Sequence, residues 1–249
     1  MNNILEIQNI KKNYQTKQGE ITAIENISFN LCDQDFLCII GASGCGKSTL
    51  LNILAGLEEK TSGQIIFKKD VKIGYMLQED ALFPWLNILE NASLGLKISH
   101  CDTKENRDFV KMLLSKYGLS DFLYKYPHEL SGGMRQRVAL IRTLALKPDI
   151  LMLDEPFSAL DYVSRLNVSN DVANIIKNEG KTVIMITHDI AEAISLATKV
   201  IVLSKRPAKI KNIYEIKLTN KSTPIENRKA KEFAYYYDLL WKDMNDDVT

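Results

Sequence analysis

GASGCGKSTL, Gly41 to Leu50, stands directly behind the apolar run FLCII, and its first eight residues fit G-x-x-x-x-G-K-[ST]. The segment before it, DFLCII, is almost continuously apolar, as a strand buried on both faces must be. The segment after it, KSTLLNILAGL, repeats its apolar residues with helical period. A strand, a glycine-rich turn and a helix in that order make an anion cradle. Gly41, Gly44 and Gly46 carry no side chain, so backbone N–H groups can turn inward, and the helix N-terminus favours negative charge. Lys47 adds a mobile positive charge for the outer phosphates of a di- or triphosphate, Ser48 a hydroxyl that can hold Mg2+, and Thr49 a second hydroxyl. Ser43 and Cys45, also on the turn, are expected to line the same phosphates. An ordinary glycine-rich turn needs neither the lysine nor the hydroxyl in this context.

Two more apolar runs, DILMLD and TVIMIT, also read as buried parallel strands, and segments of helical period such as RQRVALIRTLAL lie between the runs. The alternation predicts an α/β layer architecture with crossover helices. DILMLD ends on Asp154, with Glu155 next, so one carboxylate can reach Mg2+ while the other faces an attacking water. A solvated acid pair at a strand end is the bland alternative, and it loses ground beside a phosphate loop. TVIMITHD puts His188 at the carboxyl end of its strand, the edge where ligands of open α/β sheets gather. Alone, such a histidine is more often a cap or core residue; near a phosphate it has a charge to contact.

Upstream, ILEIQNIKKNY and EITAIENISFNL alternate apolar and polar residues like half-exposed antiparallel strands. From about Asp80 to Tyr126 the period is helical without buried-strand runs, which predicts an inserted all-helical subdomain. KVIVLSK and NIYEIKL read as late strands, and KEFAYYYDLLWKDM as a short amphipathic helix before an acidic, frayed end. There is no internal repeat, low-complexity tract or heptad array.

The 249 residues, 45% of them hydrophobic, can supply a proper core. Lys plus Arg number 32 against 31 Asp plus Glu, a formal net charge of +1, so no global field draws the protein to nucleic acid and none is expected as a partner. Cys32, Cys38, Cys45 and Cys101 show no metal-ligand spacing, which fits a reduced compartment. The N-terminal MNNILEIQNIKKNY has no basic patch followed by an apolar stretch, and no uncharged apolar run approaches the ~18 residues of a membrane span. The chain is expected to be neither secreted nor spanning. The basic run NRKAKEF is diluted by Glu226 and Glu232 and reads as a solvated helix face.

LSGGMRQRVAL lies between the two halves of the phosphate chemistry: a glycine pair at a helix start, then Arg135, Arg137 and Arg142, a second helix N-terminus suited to an anion. Here the resemblance is plain. From about Ile4 to Lys205 the chain resembles the ATP-binding cassette (ABC) ATPases of transporters. LSGGM is similar to the family's LSGGQ signature, with Ser131, Gly132 and Gly133 retained and Met134 in place of glutamine, a change expected to cost nothing essential. Gln78 in YMLQED resembles the glutamine that joins core to helical insert and senses Mg2+ and water; SALD, Ser158 to Asp161, resembles the loop that crosses the dimer interface; and Tyr14 is placed like the aromatic that stacks on adenine. The resemblance implies a P-loop NTPase (RecA-like) core at 1–79 and 135–215 with an N-terminal antiparallel β subdomain, an inserted α-helical subdomain at 80–134 that includes the signature, and a short tail at 216–249, all one ABC ATPase domain.

For activity it implies ATP hydrolysis with ATP and Mg2+ as ligands: Glu155 as general base, Lys47 and Mg2+ neutralising charge, His188 contacting the γ-phosphate, and Ser48, Gln78 and Asp154 around the metal. It also implies a head-to-tail dimer with each ATP clamped between one copy's phosphate loop and the other's signature helix. Membrane permease subunits would dock on the helical insert, where Leu82, Phe83, Pro84 and Trp85 form an apolar cluster, though the same residues could pack inside the insert. That stretch and VLSKRPAKI resemble importers of the nitrate, sulfonate and taurine type, a subgroup that includes uptake systems for thiamine-precursor pyrimidines. Such importers work with an extracytoplasmic solute-binding protein, which places this chain peripherally on the cytoplasmic face of the membrane. The alternative is the ATPase subunit of an exporter, which shares the catalytic motifs. Chromosome and DNA-repair cassettes carry long coiled coils, translation-associated ones carry two ATPase units, and a passive nucleotide module would not be expected to keep Lys47, Asp154, Glu155 and His188 together. Too few residues follow the last core strand for a sizeable regulatory domain.

Overall fold

The computed structural model describes residues 3–17, 19–68 and 70–246. The acidic end expected to fray falls largely on 247–249, outside the described residues. In chain order the elements are β1 (Asn3–Thr16), β2 (Gly19–Cys32), β3 (Phe36–Ile40), α1 (Lys47–Leu54), β4 (Ser62–Phe67), β5 (Ile73–Met76), α2 (Ile88–Ile98), α3 (Lys104–Lys116), α4 (Gly132–Leu144), β6 (Ile150–Asp154), α5 (Tyr162–Asn178), β7 (Thr182–Ile186), α6 (Ile190–Leu196), β8 (Lys199–Leu203), β9 (Ala208–Glu215), α7 (Pro224–Asn227) and α8 (Phe233–Asn245), with single 3-10 turns at Ser120–Phe122 and Pro127–Glu129. They fall into two units, Met1–Val71 with Lys181–Thr249, and Lys72–Gly180.

In the first unit the strands run in the order β4-β1-β2-β9-β8-β3-β7. The alternating N-terminal segments pair antiparallel, Glu6 opposite Asn30 in β2 and Gln8 opposite Gln64 in β4. The continuous apolar runs form the parallel centre: β3 lies between β7 and β8, with Leu37 level with both Ile184 and Lys199. Val183, Ile184, Met185 and Ile186 of β7 are fully buried, each worth roughly 1.5–3 kcal/mol relative to exposure. A parallel strand sandwiched this way has no solvent face, which is why its sequence does not alternate. β9 is antiparallel to β8 and parallel to β2, and α6 and α8 pack on this sheet.

In the second unit β5 and β6 pair in parallel, Gly74 level with Leu151, and β6 is as fully apolar as β7. Between Asp80 and Ser131 there is no strand among the described residues; α2 and α3 pack with α4, and α4 with α5. Each helix starts on a side-chain cap: Asn87 and Glu90 form a reciprocal capping box on α2, Thr103 caps α3, Ser131 caps α4 and Asp161 caps α5. Among the described residues no helix is long and apolar enough to cross a membrane.

Candidate nucleotide site

The glycine-rich turn leaves the carboxyl end of β3 and enters α1 at Lys47. Gly44 and Gly46 sit at φ 71° and 119°, backbone conformations that a side chain opposes, so these two positions require glycine. Gly41 is needed for a different reason: a Cβ there would lie 3.0 Å from the Leu203 carbonyl oxygen and 3.1 Å from Cys45 Sγ. No side chain caps α1, so its first N–H groups are presented to the turn. Lys47 is buried, and its ammonium folds back to donate to the carbonyl oxygens of Gly41 (2.9 Å) and Ala42 (3.0 Å). The side chain therefore spans the turn with its charge at the centre. A strand end, an uncapped helix start and one immobilised cation together suit the terminal phosphates of a nucleotide.

Three neighbours complete this half. Tyr14, from β1, brings its hydroxyl to 3.4 Å from Thr49 Oγ1, so the aromatic candidate adjoins the phosphate turn; burial pushes its ionisation up, helped by Glu58. Lys12 lies over the Tyr14 ring, 4.8 Å from the centroid, and pairs with Glu58 at 3.0 Å. His188 is exposed just past β7, whose Ile186 is level with Ile39 of β3, so it stands on the same sheet edge as Gly41. Thr187 anchors that edge: its hydroxyl donates to the buried Glu192 carboxylate (2.7 Å) and accepts from the Asp189 N–H (3.0 Å). Burial raises the Cys45 thiol above its usual range, against the Lys47 charge, and Ser43 and Ser48 are exposed. Arg206 donates to the Gly44 carbonyl oxygen at 3.1 Å, a contact that nothing in the local sequence announces.

In the second unit Asp154 closes β6, and the Tyr75 hydroxyl donates to its Oδ2 at 3.4 Å. Burial first, and then the Asp154 charge, hold that phenol well above its ordinary ionisation. Glu155 has φ 44°, left-handed for a non-glycine residue, a conformation that costs of order 1–3 kcal/mol and concentrates at functional sites. Ser158 stabilises it: both its N–H (3.2 Å) and its hydroxyl (3.0 Å) donate to the Glu155 carbonyl oxygen. The Gln78 amide nitrogen donates to Ser158 Oγ at 3.2 Å, so Gln78 and Glu155 are joined through one serine and the Gln78 carbonyl oxygen is left for a metal ion or water. Ser158 thus links the two candidates Gln78 and Glu155, a part the pattern SALD does not disclose.

The signature residues open α4. Ser131 accepts from the Met134 N–H at 3.3 Å, and an open groove of about 350 Å3 before it is lined by Gly132, Gly133, Leu160, Asp161 and Ser164 among others. The glycine pair has a packing duty as well: a Cβ on Gly133 would meet Val168 Cγ2 at 2.5 Å and one on Gly132 would meet Leu160 Cδ2 at 3.0 Å. The three arginines behind it serve the protein rather than an anion. Arg135 pairs with Asp80 (2.8 Å) and caps the Leu130 carbonyl, Arg142 donates to the carbonyls of Asp80 (2.7 Å) and Ala81 (2.8 Å), and Arg137 reaches the Tyr117 carbonyl. Arg142 and Arg135 thereby fasten the residues following Gln78 to the signature helix.

This strand–turn–helix phosphate loop, with a strand-end acid pair and a glycine signature helix, defines the cassette class, and comparison agrees. The family model described as ABC transporter matches residues 24–158, and the chain belongs to that family as an ATP-binding, ATP-hydrolysing subunit. It is 42% identical over 248 residues to an uncharacterized ABC transporter ATP-binding protein, YtlC, of Bacillus subtilis, covering 97% of this chain and 95% of that protein. It is 39% identical to the nitrate import ATP-binding protein NrtD of Synechocystis (95% and 93% covered) and 41% identical to the aliphatic sulfonates import ATP-binding protein SsuB of Bacillus cereus (85% and 86% covered). Among solved structures, the ATP-binding cassette MJ0796, dimeric in a post-hydrolysis state with ADP and Pi, superposes with a TM-score of 0.72 at 31% identity, over 86% of this chain and 99% of that one.

Proposed function

We propose that this chain powers uptake of a small solute through separate permease subunits, working as a head-to-tail pair on the cytoplasmic face of the membrane. The ATPase part is carried by the immobilised Lys47 ammonium inside a turn that only glycines at 44 and 46 can form. Import is supported by relatives named for nitrate and sulfonate import, and the pairing by the dimeric MJ0796 cassette. The solute is of the nitrate, sulfonate and taurine type or resembles a thiamine precursor, and reaches the permease from an extracytoplasmic binding protein.

In the proposed reaction Tyr14 stacks on adenine, the amides of Gly41, Ser43, Gly44, Cys45 and Gly46 and the hydroxyl of Thr49 hold the phosphates, and Lys47 offsets charge on the outer ones. Glu155 takes a proton from water as its oxygen attacks the γ-phosphorus. The bond from that phosphorus to the bridging oxygen breaks, and ADP leaves with the electron pair. His188 donates to the γ-phosphate, and Ser131, Gly132 and Gly133 of the second copy meet the same group. Ser48, Gln78 and Asp154 offer oxygen donors only, the set Mg2+ prefers, and Tyr75 steadies one oxygen of the carboxylate. Bound Mg2+ would supply positive charge that offsets the negative charge of the phosphates.

The permease grips the exposed side of the segment after Gln78. Leu82 is buried there, whereas Trp85 is 68% exposed with Phe83 tilted against it at 5.1 Å, so the apolar cluster both packs inward and presents a surface. The test is Glu155→Gln: it is expected to bind ATP and to dimerise with it while releasing phosphate at least about a hundredfold more slowly, in line with losing a general base. Wild-type phosphate release by that variant overturns the reading.

A further inference from the structure

The last helix carries a surface that the ATPase does not use. α8 is fixed to the first unit along one side only. Leu240 is fully buried, the Tyr236 hydroxyl accepts from the Lys217 N–H (3.1 Å), and the Asp243 carboxylate accepts from Asn212 Nδ2 and the Tyr214 hydroxyl, both at 2.6 Å. Burial, and then the Asp243 charge, push that Tyr214 phenol up to about 12. Lys211 Nζ also donates to the Asp243 backbone oxygen (2.6 Å). These anchors hold the opposite face outward and rigid.

That face is aromatic. Phe233, Tyr237 and Trp241, four residues apart, stack as a ladder with centroids 6.5 and 6.2 Å apart, and Trp241 is 56% exposed. A helix does not ordinarily leave a tryptophan and a tyrosine stacked toward water, because their large apolar area favours being covered. Beside the ladder run Ala234, Asp238, Lys242 and Asn245, all exposed. Asp238 and Lys242 are spaced to pair within the helix, yet neither side chain has a hydrogen bond or ion pair among the described residues.

We propose that this face binds a second copy of itself, antiparallel across a two-fold axis near Leu240, and so joins two chains whether or not nucleotide is bound. The charges of the face are self-complementary in an antiparallel pair. With the axis level with residue 240, antiparallel pairing sets Asp238 against the second copy's Lys242, and Tyr237 and Trp241, one residue off that register, meet the second copy's aromatic ladder diagonally. The charge pair and the aromatic contact each form twice, as an isologous contact demands. A parallel arrangement would set Asp238 against Asp238 and Lys242 against Lys242, so the charges select the antiparallel one. This contact lies on α8 and is separate from the ATP-clamping interface proposed above.

The experiment is sedimentation velocity on the full chain without nucleotide, over a concentration series. Wild type is expected to dimerise reversibly, and Trp241→Ala to weaken the association by at least about tenfold, as loss of a central aromatic anchor does. Asp238→Lys and Lys242→Asp should each weaken it, and the double exchange, which restores opposite charges, should recover most of the loss. Far-UV circular dichroism and phosphate release, expected to match wild type in every variant, separate a lost contact from a lost fold. A wild-type chain that stays monomeric at every concentration overturns the proposal, as does a double exchange no better than its single changes. So does wild type co-sedimenting with phosphatidylglycerol vesicles through Trp241 while remaining monomeric. The ATP-driven dimer of Glu155→Gln, measured with Trp241→Ala added, should persist; its absence there while present in Glu155→Gln alone would instead merge the two interfaces and refute their separateness.

Discussion

Gly133→Ala isolates what the signature glycines do for the fold from what they do for the nucleotide. A methyl at this position lies 2.5 Å from Val168 Cγ2, about 0.9 Å short of ordinary contact. Val168 is 5% exposed on α5, and its branched side chain has little rotamer freedom in a helix, so the relief must come from spreading α4 and α5. Overpacking of this size costs about 1–3 kcal/mol, and the gain in helix propensity, at most ~1 kcal/mol and smaller in a first turn, offsets part of it. We expect a net loss of about 1–2 kcal/mol. Val168→Ala alone should lose about 1.5 kcal/mol for two buried methyl groups, and the double variant should be less destabilised than the single losses combined, by ~1 kcal/mol or more. Urea denaturation followed by circular dichroism reads all four proteins. Wild-type stability in Gly133→Ala, or strictly additive losses, refutes the packing argument. If the double variant regains stability without regaining phosphate release, the glycine's second duty lies with the nucleotide.

Other consequences follow from single residues. Gly46→Ala forces a side chain onto φ 119° and within 3.3 Å of the Ala23 carbonyl oxygen, so ATP affinity by isothermal calorimetry should fall at least about tenfold, in step with a distortion of roughly 1–3 kcal/mol at the turn. Hydrogen bonds from Ser164 hold the Asp161 carboxyl below the usual carboxylate range in the folded chain. A folded value below the unfolded one means that its contribution is complete above the unfolded value and is lost as pH falls through the folded one. Thermal melts between neutral and acid pH should therefore show less acid sensitivity in Asp161→Asn, which keeps the cap on α5 but does not titrate, and an unchanged acid limb would contradict this assignment.

Much of this was legible along the chain because its physics is local. DFLCII, DILMLD and TVIMIT read as strands covered on both faces, and β3, β6 and β7 are strands whose central residues are buried. The Gly41–Thr49 turn follows from the spacing of three glycines and a lysine, and its φ values meet that demand at Gly44 and Gly46. Elements whose residues meet partners far away in sequence were harder. α5 buries Val168, Ser169, Val172, Ile175 and Ile176, a stripe diluted by serine and asparagine that leaves its helical period faint. The arginines of the signature helix follow a helix start suited to an anion, yet Arg135 and Arg142 are held by Asp80 and Ala81, some 55 to 62 residues away, which no local pattern shows. Ser158 and Arg206 belong to the same class: their roles depend on partners at Gln78 and Gly44 that no short motif names.

ATP hydrolysis by this chain rests on a triphosphate lying in the turn from Gly41 to Thr49 and a water deprotonated by Glu155. The most direct measurement is the crystal structure of Glu155→Gln grown with Mg2+ and ATP. We predict the terminal phosphate within hydrogen-bond distance of Lys47 Nζ, which gives up its bonds to Gly41 and Ala42, and the residue-155 amide beside a water in line with the γ-phosphorus. A turn with no phosphate in it while Lys47 keeps both carbonyl bonds, or a residue 155 remote from the γ-phosphorus in the closed pair, contradicts the account.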